Sequence, residues 1–324
     1  MSTPALRGPM AALARRTRAY FAPVDRVGGN PAIFDPSKQG AFPLDSPPAP
    51  WIDTGWIVNL KRTAATKFAV VHGGAKGAAS AQARQLLEAR VELDFCEWGK
   101  LQMALSGGSQ HMNVLAADVN ADPAPSGGSP TLGVAVLANS TAQELIFGLG
   151  AVDTFVVNDI IAVDLDYQQQ TGYIASPAGA WVNDPVSVLR DRNYLRRVTF
   201  NVGRVATKTA TSVILAQPLI GGAPPAGASA QKVVAFVDRE GGSFFQEWSA
   251  LFVIDEECGA RVCFYYPRLQ PAAPAAEAGF ALPAALEART LHAVFLALPS
   301  TDINDAEQVV CYRSFFPAPN AALF

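Results

Sequence analysis

Charge is scarce in this 324-residue chain: Asp, Glu, Lys and Arg make up 16% of it, the formal net charge is -3, and histidine occurs three times. There is therefore no basic field able to grip nucleic-acid phosphates over a broad surface, which excludes a tight, enveloping DNA binder. The four cysteines, Cys96, Cys258, Cys263 and Cys311, are scattered, and the only close pair has four residues between its members and no histidine pattern beside it. That spacing excludes a zinc ribbon. Free thiols buried as small hydrophobes, in a reducing cytoplasm, are the expected state. No apolar run approaches the roughly 18 to 20 residues that a membrane-spanning helix needs. The N-terminus, MSTPALRGPMAALARRTRAYF, carries Arg7, Arg15, Arg16 and Arg18 without an acid, yet lacks the continuous apolar segment of a secretory signal. Ala11 to Phe21 is read as a short amphipathic helix on the outside of the fold or against a neighbour, with a targeting peptide as the alternative.

Catalytic constellations are missing too. His72-Gly73-Gly74 after FAVV has the look of an esterase oxyanion loop, but no G-x-S-x-G accompanies it; Gly227-Ala228-Ser229-Ala230-Gln231 fails at its last position. In GGAKGAAS, Lys76 precedes Gly77, the reverse of the order a phosphate-cradling loop requires. Asp164 and Asp166 would share one face of a strand, where a metal could bridge them, but solvated edge charges are the default. His72, His111 and His292 lie far apart, and His292 falls in an apolar strand, where a structural histidine is expected. No catalytic, cofactor-binding or metal-ligating residue is assigned.

What is present is half hydrophobic residues, enough for a large core, punctuated by 24 prolines and 26 glycines. Residues 22 to 50, APVDRVGGNPAIFDPSKQGAFPLDSPPAP, suit an extended arm. TGWIVNLKRT (Thr54 to Thr63) and QLLEARVELDF (Gln85 to Phe95) predict strands, the latter alternating Val91, Leu93 and Phe95 against Glu92 and Asp94. Between them, Ala64 to Ala83 is Gly/Ala-rich and without a stable hydrophobic period, which predicts a long hairpin tip or flexible loop. Trp98, Leu101 and Leu105 recur at helical spacing before Gly107-Gly108, predicting a short helix. Beyond the break at Asp122 to Pro130, GVAVLAN, TFVVNDIIAVDLDY, YLRRVTFNVGRV and TSVILAQPLIGG read as strands of a small β unit. After a second break at Gly221 to Ala230 come VVAFVD, SALFVID, ARVCFYYP, ARTLHAVFLAL and EQVVCYRSFF. Asp238 to Gly242 is read as a hairpin bend joining VVAFVD to the strand ending in FVID. LEAR recurs at Leu87 and Leu286, with no fixed period that would mark a duplication.

WIDTGWIVNLKRT, LEARVELDFCEWGKLQMAL, ARVCFYYPRLQ and ARTLHAVFLALP resemble the tail tube (major tail) proteins of tailed bacteriophages. The matching features are Gly55-Trp56 opening a strand, the long hairpin around Ala64 to Ala83, Val91 to Phe95 running into the Trp98 to Leu105 helix, Tyr266-Pro267, and the late strand Leu291 to Leu298. The resemblance covers residues 45 to 115 and 231 to 320. It implies a mainly β fold, a β-sandwich or barrel with a flanking short helix and a long hairpin, plus an inserted small β domain. The expected division is residues 1–50 as N-terminal helix and Pro-rich arm, 51–134 with 226–324 as a discontinuous tube-forming domain, and 135–225 as an inserted outer β domain. The resemblance further implies a virion protein, assembled in the host cytoplasm, that stacks as homo-oligomeric rings, usually hexameric, into a conduit for DNA ejection. Its partners would be itself, tape measure, terminator or baseplate components, and transiently the passing DNA. A baseplate or decoration protein, and less so a β-sandwich hydrolase, are the competing expectations.

Overall fold

The computed structural model describes residues 14–24, 30–73, 78–108, 110–116, 133–164, 201–220, 222–224, 228–239, 247–272 and 290–319. In chain order the elements are β1 (Ala14–Pro23), α1 (Pro36–Gln39), β2 (Ile52–Gly73), β3 (Ala78–Phe95), α2 (Lys100–Gly107), β4 (Gln110–Leu115), β5 (Val134–Ala135) and β6 (Glu144–Ile146). After a 3-10 turn at Ala151–Thr154 follow β7 (Ile160–Asp164), β8 (Val202–Lys208), β9 (Ser212–Leu215), β10 (Ser229–Arg239), β11 (Trp248–Glu256) and β12 (Arg261–Pro271). The last are β13 (Leu291–Leu298), β14 (Ser300–Thr301), β15 (Gln308–Val309) and β16 (Tyr312–Phe316). The fold is mainly β and divides into two compact units, one holding β1 to α2 and β11 to β16, the other β4 to β10.

In the first unit, β11, β1, β2, β3, β13 and β12 pair in that order, and β11 pairs β12 to close a six-stranded antiparallel barrel. Period-two alternation fills its interior from every side. Val91, Leu93 and Phe95 of β3 are buried, as are Ala293, Phe295 and Ala297 of β13. Phe21 of β1 lies with its ring centroid 5.6 Å from Phe295, 6.1 Å from Phe95 and 6.1 Å from Phe252. Since β1 does not pair with β3 or β13, the contacts with Phe95 and Phe295 cross the barrel, while Phe252 lies on the neighbouring β11. Helix α2 packs on β13 and β12, burying Leu101, Ala104 and Leu105. Its Gln102 donates to the Thr54 carbonyl at 3.0 Å, and Ser106 donates to the His292 carbonyl.

The alternate residues of β1, Tyr20 and Ala22, face outward and are nonetheless buried, with Leu251, Val253, Cys263 and Tyr265, beneath Phe34, Phe42 and Trp51 of the arm. Side chains of the barrel satisfy the arm's backbone. Tyr20 donates to the Leu44 carbonyl at 2.6 Å, Tyr265 to the Ala32 carbonyl at 2.8 Å, and Arg261 to those of Gly40 and Phe42. The N-terminal helix expected over Ala11 to Phe21 is therefore corrected to a central strand from Ala14, with residues 11–13 outside the described residues. A short apolar run such as AYFAPV carries no period that separates helix from strand. Here, burial on both faces decided the matter.

In the second unit the strand order is β4, β10, β7, β8, β9, β6, with β5 also on β10 and a bridge from Val136 to Phe147. Its core is largely aliphatic: Leu145, Ile161, Val163, Val205, Val213 and Leu215, with Phe147 and Phe155 as its one described aromatic pair at 5.4 Å. This unit includes β4 and β10, so it extends on both sides of the expected 135–225.

The Asp238 to Gly242 hairpin is also corrected. β10 pairs with β4, β5 and β7, whereas β11 pairs with β1 and β12, so the two strands belong to different units. Asp238 and Arg239 continue β10 opposite His111 and Gln110, and residues 240–246 lie outside the described residues.

Candidate assembly surface

The feature that stands out from the barrel is the β2–β3 hairpin. β1 covers the outer edge of β2 only between Ile52 and Trp56, and β13 covers the outer edge of β3 only between Ala89 and Phe95. Past these limits Ala65–Gly73 pairs solely with Ala78–Glu88 among the described residues, leaving a two-stranded ribbon with both outer backbone edges unpaired. At about 3.3 Å per residue it continues for roughly 30 Å. Of the long hairpin tip or flexible loop expected over Ala64 to Ala83, the structure holds the hairpin: strand runs through most of it, and only residues 74–77 lie outside the described residues. The alternating pattern was missing because alternation reports one buried face. A ribbon exposed on both faces holds its register by backbone pairing instead. Phe68 and Val70, two residues apart on β2, are 50% and 47% exposed.

The ribbon's root is anchored by side chains that cross strands. Arg62 lies over the Phe264 ring at 4.3 Å, donates from Nε to the Tyr266 hydroxyl and from Nη2 to Cys311 Sγ at 3.4 Å. This ties β2 to β12 and to the approach to β16. Asn59, at positive φ beside a bulge in the pairing, donates to Asp94 Oδ2 at 2.6 Å, and Asp94 Oδ1 meets His292 Nδ1 at 2.7 Å. Lys61 pairs with Glu92 at 3.1 Å. At the start of β2, Arg18 forms a two-pronged pair with Asp53, Nε to Oδ1 at 2.8 Å, and lies 4.7 Å from the Trp56 ring centre. That hydrogen bond raises the guanidinium's pKa further above its ordinary value. Asp53 Oδ1 also accepts from the Gly55 amide. Burial pushes the Tyr266 hydroxyl and the Cys263 thiol up to about 12 each, so both are protonated at neutral pH.

The candidate catalytic groups do not converge. Ser106 hydrogen-bonds the backbone of His292, not its ring, so the His292–Asp94 pair reads as a cross-strand tie with no nucleophile attached. The backbones of His72 and His111 lie in β2 and β4, in separate units. Asp164 ends β7, and Asp166 lies outside the described residues. The GAKG stretch, residues 74–77, lies outside the described residues, and Ser229 and Gln231 sit within β10. Among the described residues no three His, Cys, Asp or Glu side chains gather as metal ligands. No described helix is long and apolar enough to cross a membrane. An open groove of about 490 Å³ runs past Arg16, Leu44, Asp255, Arg261 and Phe316. Its Arg261 and Asp255 are paired with each other at 2.8 Å, and Arg261 also holds the arm, so these charges stabilise the fold.

No protein-family model matches this chain, and no curated protein does.

Proposed function

We propose that the protein is a structural virion subunit that polymerises as stacked rings, hexameric by analogy with the family it resembles, into a phage tail tube through which DNA is ejected. The observation that carries this reading is the ribbon with two unpaired edges on a closed barrel. Unpaired strand edges are templates for pairing with another chain, and proteins that remain monomeric blunt them. Here the barrel removes its own edges by closure, while the ribbon is left long, with Phe68 and Val70 exposed and no proline between Ile52 and Phe95. Adding neighbouring ribbons edge to edge satisfies those backbone groups and closes a larger barrel around an axis. The formal net charge of -3 suits a channel in which DNA slides without sticking. Within this reading no catalysis is required. Tape measure, terminator or baseplate components would be the tube's partners at its ends. Light scattering and negative-stain microscopy of the purified chain test the reading: rings or tubes are expected, and a strict monomer at high concentration, with no ring or tube in isolation or in particles, would sink it.

A further inference from the structure

We propose that the turn joining β14 to β15 docks on the ribbon of a second copy of this chain and forms the side-to-side contact within a ring. This inference rests on the self-assembly reading and names the contact. The turn is held rigid by its own polar groups. Asp302 Oδ1 accepts from the Asn304 amide and from Asn304 Nδ2 at 2.9 Å each, and Asp302 Oδ2 accepts from the Tyr312 hydroxyl at 2.6 Å. Backbone bonds from Ala306 to the Asp302 carbonyl and from Asp302 to the Glu307 carbonyl close it, and Gln308 fastens its base to Thr301. At its tip Ile303 is 96% exposed. A rigid turn that presents an isoleucine wholly to solvent loses little entropy on docking, which is the property of a binding anchor.

Charge and position select the occupant. Residues 300–307, STDINDAE, carry Asp302, Asp305 and Glu307 and no cation. The described ribbon, Ala65–Gly73 with Ala78–Glu88, carries Lys67 and Arg84 against one carboxylate, Glu88, which pairs with Arg90 at 2.7 Å, and the backbone register sets Arg84 opposite Phe68. Acidic turn and basic ribbon each bear exposed apolar residues, Ile303 against Phe68 and Val70, so apolar contact and charge complementarity coincide. The exposure of all three side chains means that they do not cover one another within one chain.

The fold also fixes the direction of the contact. β13 runs toward the ribbon's root, where Ala297 pairs with Ala89, and from there the chain continues into β14 and the turn. Arg62, at the base of the ribbon, bonds Cys311, just past β15. Turn and ribbon thus leave the same end of the barrel. Two complementary surfaces at one level meet by rotation about an axis along the barrel without a shift along it, which is the head-to-tail contact of a closed ring. A contact between stacked rings would need features at opposite ends.

The test uses the full-length chain carrying Cys96→Ser to remove the exposed thiol. Ile303→Asp is expected to raise the concentration for ring formation by at least about tenfold, the loss of one buried aliphatic anchor, while circular dichroism and monomer melting stay unchanged. Lys67→Glu should weaken assembly, and Lys67→Glu with Asp305→Lys should restore it. Mixed Ile303→Cys and Val70→Cys single variants are expected to form a disulfide-linked heterodimer under mild oxidation at assembling concentrations. If the parent chain forms rings while Ile303→Asp assembles equally well and no crosslink appears, the docking proposal is overturned and the assembly reading stands. A parent chain that never assembles overturns both. Crosslinking within single chains of the Ile303→Cys/Val70→Cys double variant at high dilution would make the turn the ribbon's own cover and overturn the proposal as well.

Discussion

The two units solve the problem of filling a β structure in different ways. The barrel unit uses large rings: Phe21, Phe95, Phe252, Phe295 and Tyr266 inside, and Tyr20, Phe34, Phe42, Trp51 and Tyr265 on the outer side of β1, β11 and β12. The described core of the second unit is aliphatic apart from Phe147 and Phe155. Six strands closed on themselves leave an interior that aromatic side chains span and aliphatic ones do not. The tyrosines also supply hydroxyls for the arm's carbonyls, so one residue type both packs and fastens. The difference teaches that the barrel unit is the one sensitive to ring removal and to alkali.

The largest expected effect sharpens that contrast. Phe21→Ala removes the ring that contacts three others, Phe95 and Phe295 across the barrel and Phe252 on the neighbouring strand, and should cost about 3–5 kcal/mol. Segment-resolved hydrogen exchange in denaturant should show lost protection in β3, β11 and β13 with β8 and β9 unchanged. Equal loss in both units would break the comparison.

Alkali comes next. Burial raises the Tyr20 and Tyr265 hydroxyls above their ordinary range, and pushes Cys263, Tyr266 and Tyr312 up to about 12. Groups whose folded pKa lies above the unfolded value favour the fold below the unfolded value, about 8.5 for a thiol and about 10 for a phenol. That contribution is lost as pH rises toward 12. Denaturant midpoints between pH 8 and 11.5 should therefore fall for the barrel unit, and a flat profile would count against buried hydroxyls as its fasteners.

A smaller effect is expected at Gly55, whose φ is +84° and where a built Cβ lies 2.8 Å from the Glu97 carboxyl carbon. Gly55→Ala should cost roughly 1–3 kcal/mol through backbone strain, read as a lower urea midpoint with the same slope. Smallest of all, Lys61→Ala removes an exposed pair with Glu92 and should change stability by less than about 1 kcal/mol. A larger loss would mean that the ribbon's root depends on charge more than on Arg62 and the pairing of β3 with β13.

Much of the barrel was legible in the sequence because its strands either alternate or are rich in β-branched and aromatic residues. β3 carries the period-two pattern, β12 and β13 are rich in β-branched and aromatic residues, and α2 carries a helical spacing, so each fell where its residues put it. β1 was misread since both its faces are buried, one by the barrel and one by the arm, which erases alternation. The ribbon, expected as a hairpin tip or a flexible loop, shows no alternation for the opposite reason: between Ala65 and Val70 side chains on both faces reach solvent. The pairing of β10 with β4 and not with β11 could not be read at all, because strand partners separated by more than a hundred residues leave no local signal. Of the candidate assembly surface, the hairpin's place was legible and its free edges were not. The complementary turn at Asp302 to Glu307 passed unnoticed; its signal was the TDINDAE run, turn-forming residues around a lone isoleucine.

β1 precedes the whole second unit in sequence and pairs with β11, and the barrel closes only when β12 and β13, which follow that unit, take their places. During synthesis, then, a nascent chain displays an unroofed β1 and an isolated β2–β3 hairpin until β11 to β13 emerge, by which point the described strands of the second unit are already out. The second unit is free to fold first, and the barrel is completed after it. A subunit built in this order acquires its strand-pairing ribbon long before the body that would orient it, so newly made chains, more than mature ones, are the population in which mis-pairing and chaperone capture should concentrate.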